Sequence, residues 1–367
     1  MMPGTPIRQR TPGPTSVQDP GLQLRRAGHP DDAGIMTTRP AVSVARLLTA
    51  LCLALVLSAV ASEAGARVRP AQLATFDDMR PVIFGTFSGD PYDGNVDKTD
   101  ALEQQIGRRI GIVNWFQNWS GDEWTKEVHP EIFAAVTGSG RLPMLTWMPS
   151  DGNARPANDQ PEYRLQRIAD GALDDFIAQF ARDLRDLGTT VYVRPMHEMN
   201  GDWYPWGGMT NANTPREFRR AWRHMHDVFE REGATNVRWV WSPLAESVPN
   251  VRRNRLERYY PGRRYVDVMA LDGYNWGSTR PDMGGYRSFR EIFRRPYKRL
   301  RALGNQPIWL AEVGTAPEGG DKAEWVRGMF ATAKRWNKLE AIVWFDQDKE
   351  RDWRAAPNDA VAAAFRG

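Results

Sequence analysis

Eight short apolar, β-branched runs that alternate with segments of helical periodicity constrain this chain more than any other feature. The spacing predicts strands over Val82–Ser88, Ile110–Trp115, Leu142–Met148, Thr190–His197, Val237–Ser242, Tyr265–Tyr274, Ile308–Gly314 and Ala341–Asp346. Each run is continuously apolar, the pattern of a parallel sheet covered on both faces. Between them the period changes. Leu173, Phe176, Ile177, Phe180, Leu184 and Leu187 recur at helical spacing up to Gly188. Thr214 is placed to cap a second helix, with Pro215 at its first position. Eight such alternations predict an α/β chain forming a single (β/α)8 TIM barrel. A doubly wound open sheet is the alternative, but it calls for a glycine-rich phosphate turn, and "FGTFSGDPYDG" lacks that spacing.

The first 66 residues read as a leader and signal rather than fold, leaving 67–367 for the barrel. From Met36, a better start than Met1, the chain reads "MTTRPAVSVARLLTALCLALVLSAVASEAGA": two arginines, an apolar run, then small residues with cuts after Ala61 or Ala66. That is the three-part pattern of a secretory signal peptide, and the run is shorter than the roughly 20 residues of a membrane span. Secretion is therefore expected, with no membrane attachment after signal removal. The sole cysteine, Cys52, lies inside the run, so the mature chain would carry no disulfide and no thiol nucleophile. The formal charge of +4 reads as thinly spread, without the Lys/Arg block or basic helix a nucleic-acid partner requires.

In a (β/α)8 barrel the chemistry sits at the C-terminal ends of the strands. Here those ends are aromatic and acidic: "NWFQNW", "TWMPSDG", "HEMNGDWYPW", "WSPLAES", "DGYNW", "AEVG" and "VWFDQD" hold much of a tryptophan count of 15. Flat amphipathic rings at such positions suit stacking on sugar faces. Two carboxylates stand out, Glu198 ending the fourth strand and Glu312 ending the seventh. A carboxylate in an apolar strand is costly unless paired or functional. Two of them in a tryptophan-lined cleft match glycoside hydrolysis, in which one carboxyl protonates the leaving oxygen and the other attacks or activates water. Competing chemistries fail on spacing. "HEMNG" is not H-E-x-x-H, no G-x-S-x-G occurs, and His224 and His226 are two apart on a helix, which reads as surface placement. No metal and no cofactor are expected.

"RPMHEMNGDWYPWG", followed by "DGYNW", "WLAEVG" and "VWFDQD…DWR", resembles glycoside hydrolase family 26 over roughly residues 80–355. The resemblance implies a retaining mechanism with carboxyls about 5 Å apart, Glu198 as acid/base and Glu312 as nucleophile. It implies Tyr274 as donor to the nucleophile, His197 beside the acid/base, and Trp344 as the floor of the cleavage subsite. Trp203 and Trp206 are expected as cleft walls, and Trp119 and Trp147 as further sugar contacts. Arg194, about 13 Å deeper along an extended strand, is expected to be a barrel-interior ion-pair residue outside the site. The family's mannanases carry a histidine near the end of the third strand. Trp147 and Met148 stand there instead, which leans toward the mixed-linkage β-glucanase branch while β-mannan stays open. A β-linked polysaccharide is the expected partner and a monomer the expected state. A carbohydrate-binding pseudoenzyme, or a hydrolase of the producer's own exopolysaccharide, is the alternative.

Overall fold

The computed structural model describes residues 82–121 and 126–366. The expected leader and signal peptide, with Cys52, fall outside the described residues. Strands β1 (Ile83–Phe87), β2 (Ile112–Ser120), β3 (Leu142–Asp151), β4 (Val191–Pro195), β5 (Val237–Trp241), β6 (Val268–Asn275), β7 (Ile308–Thr315) and β8 (Leu339–Phe345) form a closed parallel barrel in chain order. All eight expected strands are present, and β8 closes on β1 through parallel pairs from Ile83↔Ala341 to Phe87↔Phe345.

Eight α-helices are described: α1 (Asp97–Ile106), α2 (Pro130–Gly138), α3 (Leu165–Ala169), α4 (Asp174–Asp186), α5 (Pro215–Arg231), α6 (Phe289–Leu303), α7 (Lys322–Ala333) and α8 (Asp359–Ala364). Helix α4 buries Ile177, Phe180, Ala181 and Leu184, as its periodicity predicts. In α5 the Thr214 side chain accepts from the Glu217 backbone N–H, and Pro215 takes the first position. Such a cap contributes about 1 kcal/mol. The β5–β6 connection has no α-helix; three 3-10 turns at Arg252–Asn254, Leu256–Tyr259 and Arg263–Tyr265 take its place.

Two apolar layers follow from strand geometry, because successive side chains face opposite sides of a sheet. Ile112, Met144, Val268, Ala341 and Val343 fill the barrel interior. Val113, Leu145, Trp147, Ile342 and Trp344 face the helices.

Two expectations need correction. His226 is buried rather than on the surface, its ring 5.3 Å from Trp239 and 5.1 Å from Tyr265. Charge is also not thinly spread. Helix α6, "FREIFRRPYKRLRAL", holds six cations against one carboxylate and is a basic helix.

Candidate active site

Strand β4 stops at Pro195, earlier than its apolar pattern suggests, because the backbone turns left-handed at Met196 (φ 49°) and again at Glu198 (φ 53°). Positive φ at residues with side chains is strained and persists only where the surroundings over-determine it. Here the Glu198 N–H donates to the Ser242 carbonyl at 2.8 Å and the Met196 N–H to the Trp147 carbonyl. The chain thus folds back over the barrel mouth. Glu198 sits there 7% exposed, its Oε2 accepting from Trp203 Nε1 at 2.8 Å. Gly201 makes this contact possible, since a Cβ there would lie 2.8 Å from the Trp203 ring.

Glu312 is aimed differently. Leu271 pairs with Leu310, but Asp272 pairs with Glu312, so Ala311 is an extra residue on β7. A bulge of this kind re-aims the next side chain. Glu312 consequently turns inward, where Arg194 Nη2 donates to Oε1 at 2.5 Å and Tyr274 Oη donates to Oε2, also at 2.5 Å. Arg194 belongs to the site, contrary to expectation. The expected 13 Å offset assumed an extended strand, whereas the left-handed turns bring Glu198 back over the barrel. Thr146 Oγ1 and Asp272 Oδ1 fix the rest of the guanidinium, and Ser242 Oγ donates to the same Asp272 oxygen.

His197 Nε2 lies 3.9 Å from Glu312 Oε1 and 3.2 Å from Tyr204 Oη. The residue beside Glu198 therefore reaches Glu312, and both carboxylates occupy the same end of the barrel. Burial, then the charges of Glu312 and Asp272, push the Glu198 carboxyl well above its usual pKa. Burial, with Arg194 and Lys349, pushes His197 well below its own, so its ring is neutral at pH 7. Burial opposes the charge on Arg194, but Asp272 and Glu312 outweigh it and hold the guanidinium protonated. The result is one carboxyl poised to carry a proton and another gripped by a fixed cation and a phenol.

The remaining expected contacts divide by strand parity. Trp203 is half-buried at the mouth, and Tyr274 packs 4.9 Å from Trp353. Trp206 lies beneath the loop, fully buried, donating to the His197 carbonyl and stacked 4.3 Å from Tyr204. Trp119, Trp147 and Trp344 do not reach the cleft. Trp147 stacks at 4.6 Å on Phe180 of α4, Trp119 packs at 4.6 Å on Trp147, and Trp344 meets Trp325 and Phe365 of the helical layer. Their inward neighbours are Thr146 on β3 and Val343 and Phe345 on β8, so these tryptophans must face outward. Trp344 touches the site only by donating from Nε1 to the Trp353 carbonyl at 2.7 Å. The cleft-side aromatics are instead Phe87, Phe116, Tyr274, Trp276, Phe345 and Trp353. Inward parity was the signal that could have selected Phe116 and Phe345. Among the described residues, no cluster of three or more His, Cys, Asp or Glu side chains could hold a metal ion.

Residues 153–308 match the sequence profile of Glycosyl hydrolase family 26, a stretch that includes Glu198 and Tyr274 and stops before Glu312. Endoglucanase H of Acetivibrio thermocellus is 37% identical over 270 residues, 72% of this chain and 28% of that protein. The barrel belongs to glycosyl hydrolase family 26. Mannan endo-1,4-beta-mannosidase A and B of Caldalkalibacillus mannanilyticus is 36% identical over 61% of this chain and 45% of its own length. The family 26 chain thus spans less than half of these curated relatives. Among solved structures, a modular endo-beta-1,4-mannanase from Cellulomonas fimi superposes with a TM-score of 0.58 at 17% identity, covering 78% of this chain and 69% of that one. A Bacillus subtilis mannanase superposes at 0.54 and 22%, covering 79% and 86%. Both share the family 26 barrel fold.

Proposed function

We propose that this family 26 barrel is a retaining endo-β-glycanase whose substrate is a β-glucan. The observation that carries the reading is the unequal state of the two carboxyls at one barrel mouth. Glu198 is driven toward its protonated form, while Glu312 receives two charge-assisted donors. In the first step a Glu312 oxygen attacks the anomeric carbon while Glu198 gives its proton to the departing glycosidic oxygen. Arg194 and Tyr274 each occupy one lone pair of Glu312, which orients the carboxylate and leaves the other lone pairs for attack. In the second step Glu198, now ionised, takes a proton from water as the water oxygen displaces Glu312 from the anomeric carbon. The configuration is retained after two inversions.

The β-glucan assignment draws on β3. Its end carries Met148, half-buried beside outward-facing Trp147, with no imidazole, and the relative named Endoglucanase H aligns over 72% of the chain. The charged, apolar and small-residue order of residues 36–66 supports export of the enzyme to the polymer.

Azide rescue tests the roles. Glu198→Ala on an activated aryl glycoside should accumulate the glycosyl-enzyme, and azide should release a β-glycosyl azide. Glu312→Ala should form no covalent intermediate, and any azide product should be the α-anomer. Opposite stereochemistry would exchange the assignments. Side-by-side rates on mixed-linkage β-glucan and β-mannan test the substrate; faster turnover of mannan would overturn the glucan assignment alone.

A further inference from the structure

The positive charge of this chain is concentrated in two segments of the helical layer. Helix α6 and the turn segment 252–264 each hold six cations against one carboxylate. Each therefore carries a formal +5, while the whole chain carries +4, so everything outside these two segments is net acidic. The two are neighbours in the helical layer, joined by the two-pronged pair between Arg299 and Glu257.

The buried face of α6 is apolar, built from Phe289, Ile292, Phe293, Tyr297 and Leu300. Arg290, Arg294, Lys298 and Arg301 lie on the opposite, exposed face. At a rise of 1.5 Å per residue they form a row roughly 16 Å long with steps of about 6 Å. Arg290, Arg294 and Lys298, with Arg295, line a shallow surface depression beside Ser288 and Glu291. The nearby carboxylates are already engaged: Glu291 in the capping box with Ser288, Glu257 with Arg299, Asp282 with Arg280 and Glu246 with Arg287. No ion pair among the described residues uses Arg290, Arg294, Arg295 or Lys298. Packing does not need four unneutralised cations here, and their mutual repulsion disfavours the compact state.

We infer that the α6 row and the adjoining 252–264 turns form a docking face for an acidic polysaccharide, a linear chain bearing uronate carboxylates. Guanidinium groups match carboxylates with paired hydrogen bonds, and a straight row of cations fits a linear polyanion. The face lacks the apolar side chains that seat a helix in a membrane; Val251 is the one large hydrophobic exposed among the described residues. It also lacks exposed aromatic rings on which bases could stack. The choice of carbohydrate over other polyanions rests on the proposed function: α6 begins at the barrel end where β6 finishes, so a bound acidic chain would hold the cleft among neighbouring neutral glucan.

The test is binding of the full chain to polygalacturonate at about 50 mM salt, with duplex DNA and phosphatidylglycerol vesicles as competitors. Binding is read by calorimetry, separately from hydrolysis of neutral β-glucan. The quadruple variant R290Q/R294Q/K298Q/R301Q should bind at least about tenfold more weakly and with a shallower salt dependence. A control with the same loss of charge elsewhere, R164Q/R167Q/R216Q/R238Q, should change binding less than about threefold. R290K/R294K/R301K keeps the charge and should fall between native and quadruple, and it stands in should the quadruple variant not fold. Glucan hydrolysis should be equal in all of them. No polygalacturonate binding by the native chain, equal loss in control and α6 variants, or tighter binding to DNA or vesicles would each overturn the proposal. A chain that binds polygalacturonate through α6 but hydrolyses no glucan would sink the proposed function and leave the docking face standing.

Discussion

Replacing Tyr274 by phenylalanine isolates a single hydrogen bond at the centre of the site. The Tyr274 hydroxyl donates to Glu312 Oε2 at 2.5 Å, while its ring packs 4.9 Å from Trp353, 6.1 Å from Trp276 and 6.0 Å from Phe345. Phenylalanine keeps all three ring contacts and loses only the donor. A hydrogen bond to a charged group is worth about 1.5–3 kcal/mol. If that whole amount positions the nucleophile for attack, kcat/KM on soluble β-glucan should fall roughly 10- to 150-fold, at about 1.4 kcal/mol per decade. Arg194 still holds Oε1, so Tm should drop by no more than about 4 °C for a barrel this size. Burial, and then the charge of Glu312, push the Tyr274 pKa well above 10, so the hydroxyl remains a donor and no activity limb near neutrality belongs to it. Initial rates and thermal unfolding on the same preparation decide the matter. A change in kcat/KM below about threefold would refute the positioning role. So would a Tm loss large enough to account for the missing activity.

Three further outcomes follow from the same geometry. Trp203→Phe removes the N–H that favours ionised Glu198; the folded pKa of Glu198 should rise further. Because the acid is lost as pH climbs through that pKa, the basic limb of kcat/KM should move to higher pH, and a downward move in the pH profile would contradict the assignment. Arg194→Met leaves Asp272 and Glu312 buried without their cation, so urea unfolding at neutral pH should show a loss of about 3–5 kcal/mol; a loss below about 1 kcal/mol would mean the pair is not buried as described. Trp147→Phe, on the helix side of β3, should cost about 1–3 kcal/mol of stability with kcat/KM within about twofold of native; a marked rise in KM would return Trp147 to the cleft.

Much of this arrangement was legible in the sequence, because its signals are local. Continuous apolar runs alternating with helical periods specify buried parallel strands and their covering helices, and eight repeats leave a closed barrel as the economical solution. Glu198 and Glu312 were visible as carboxylates in apolar strand ends, where an unpaired charge is too costly to be incidental. The basic helix was equally visible in "FREIFRRPYKRLRAL"; the low net charge concealed it, since an acidic remainder cancels it in the sum.

Tertiary structure decided which side each strand-end residue faces and how far the strands truly run. Parity on a strand is fixed only once one inward residue is known, so Trp119, Trp147 and Trp344 looked equivalent to Phe116 and Phe345 until Thr146 and Val343 were seen pointing inward. The bulge at Ala311 adds one residue on β7, turning Glu312 toward Arg194 and Tyr274. The left-handed turns at Met196 and Glu198 draw together two residues that an extended strand would separate. Both irregularities are held by partners distant in sequence, the Trp147 and Ser242 carbonyls for β4 and the β6 ladder for β7. Local propensity does not encode such partners, because the energy that stabilises the irregular backbone arises only when the barrel closes.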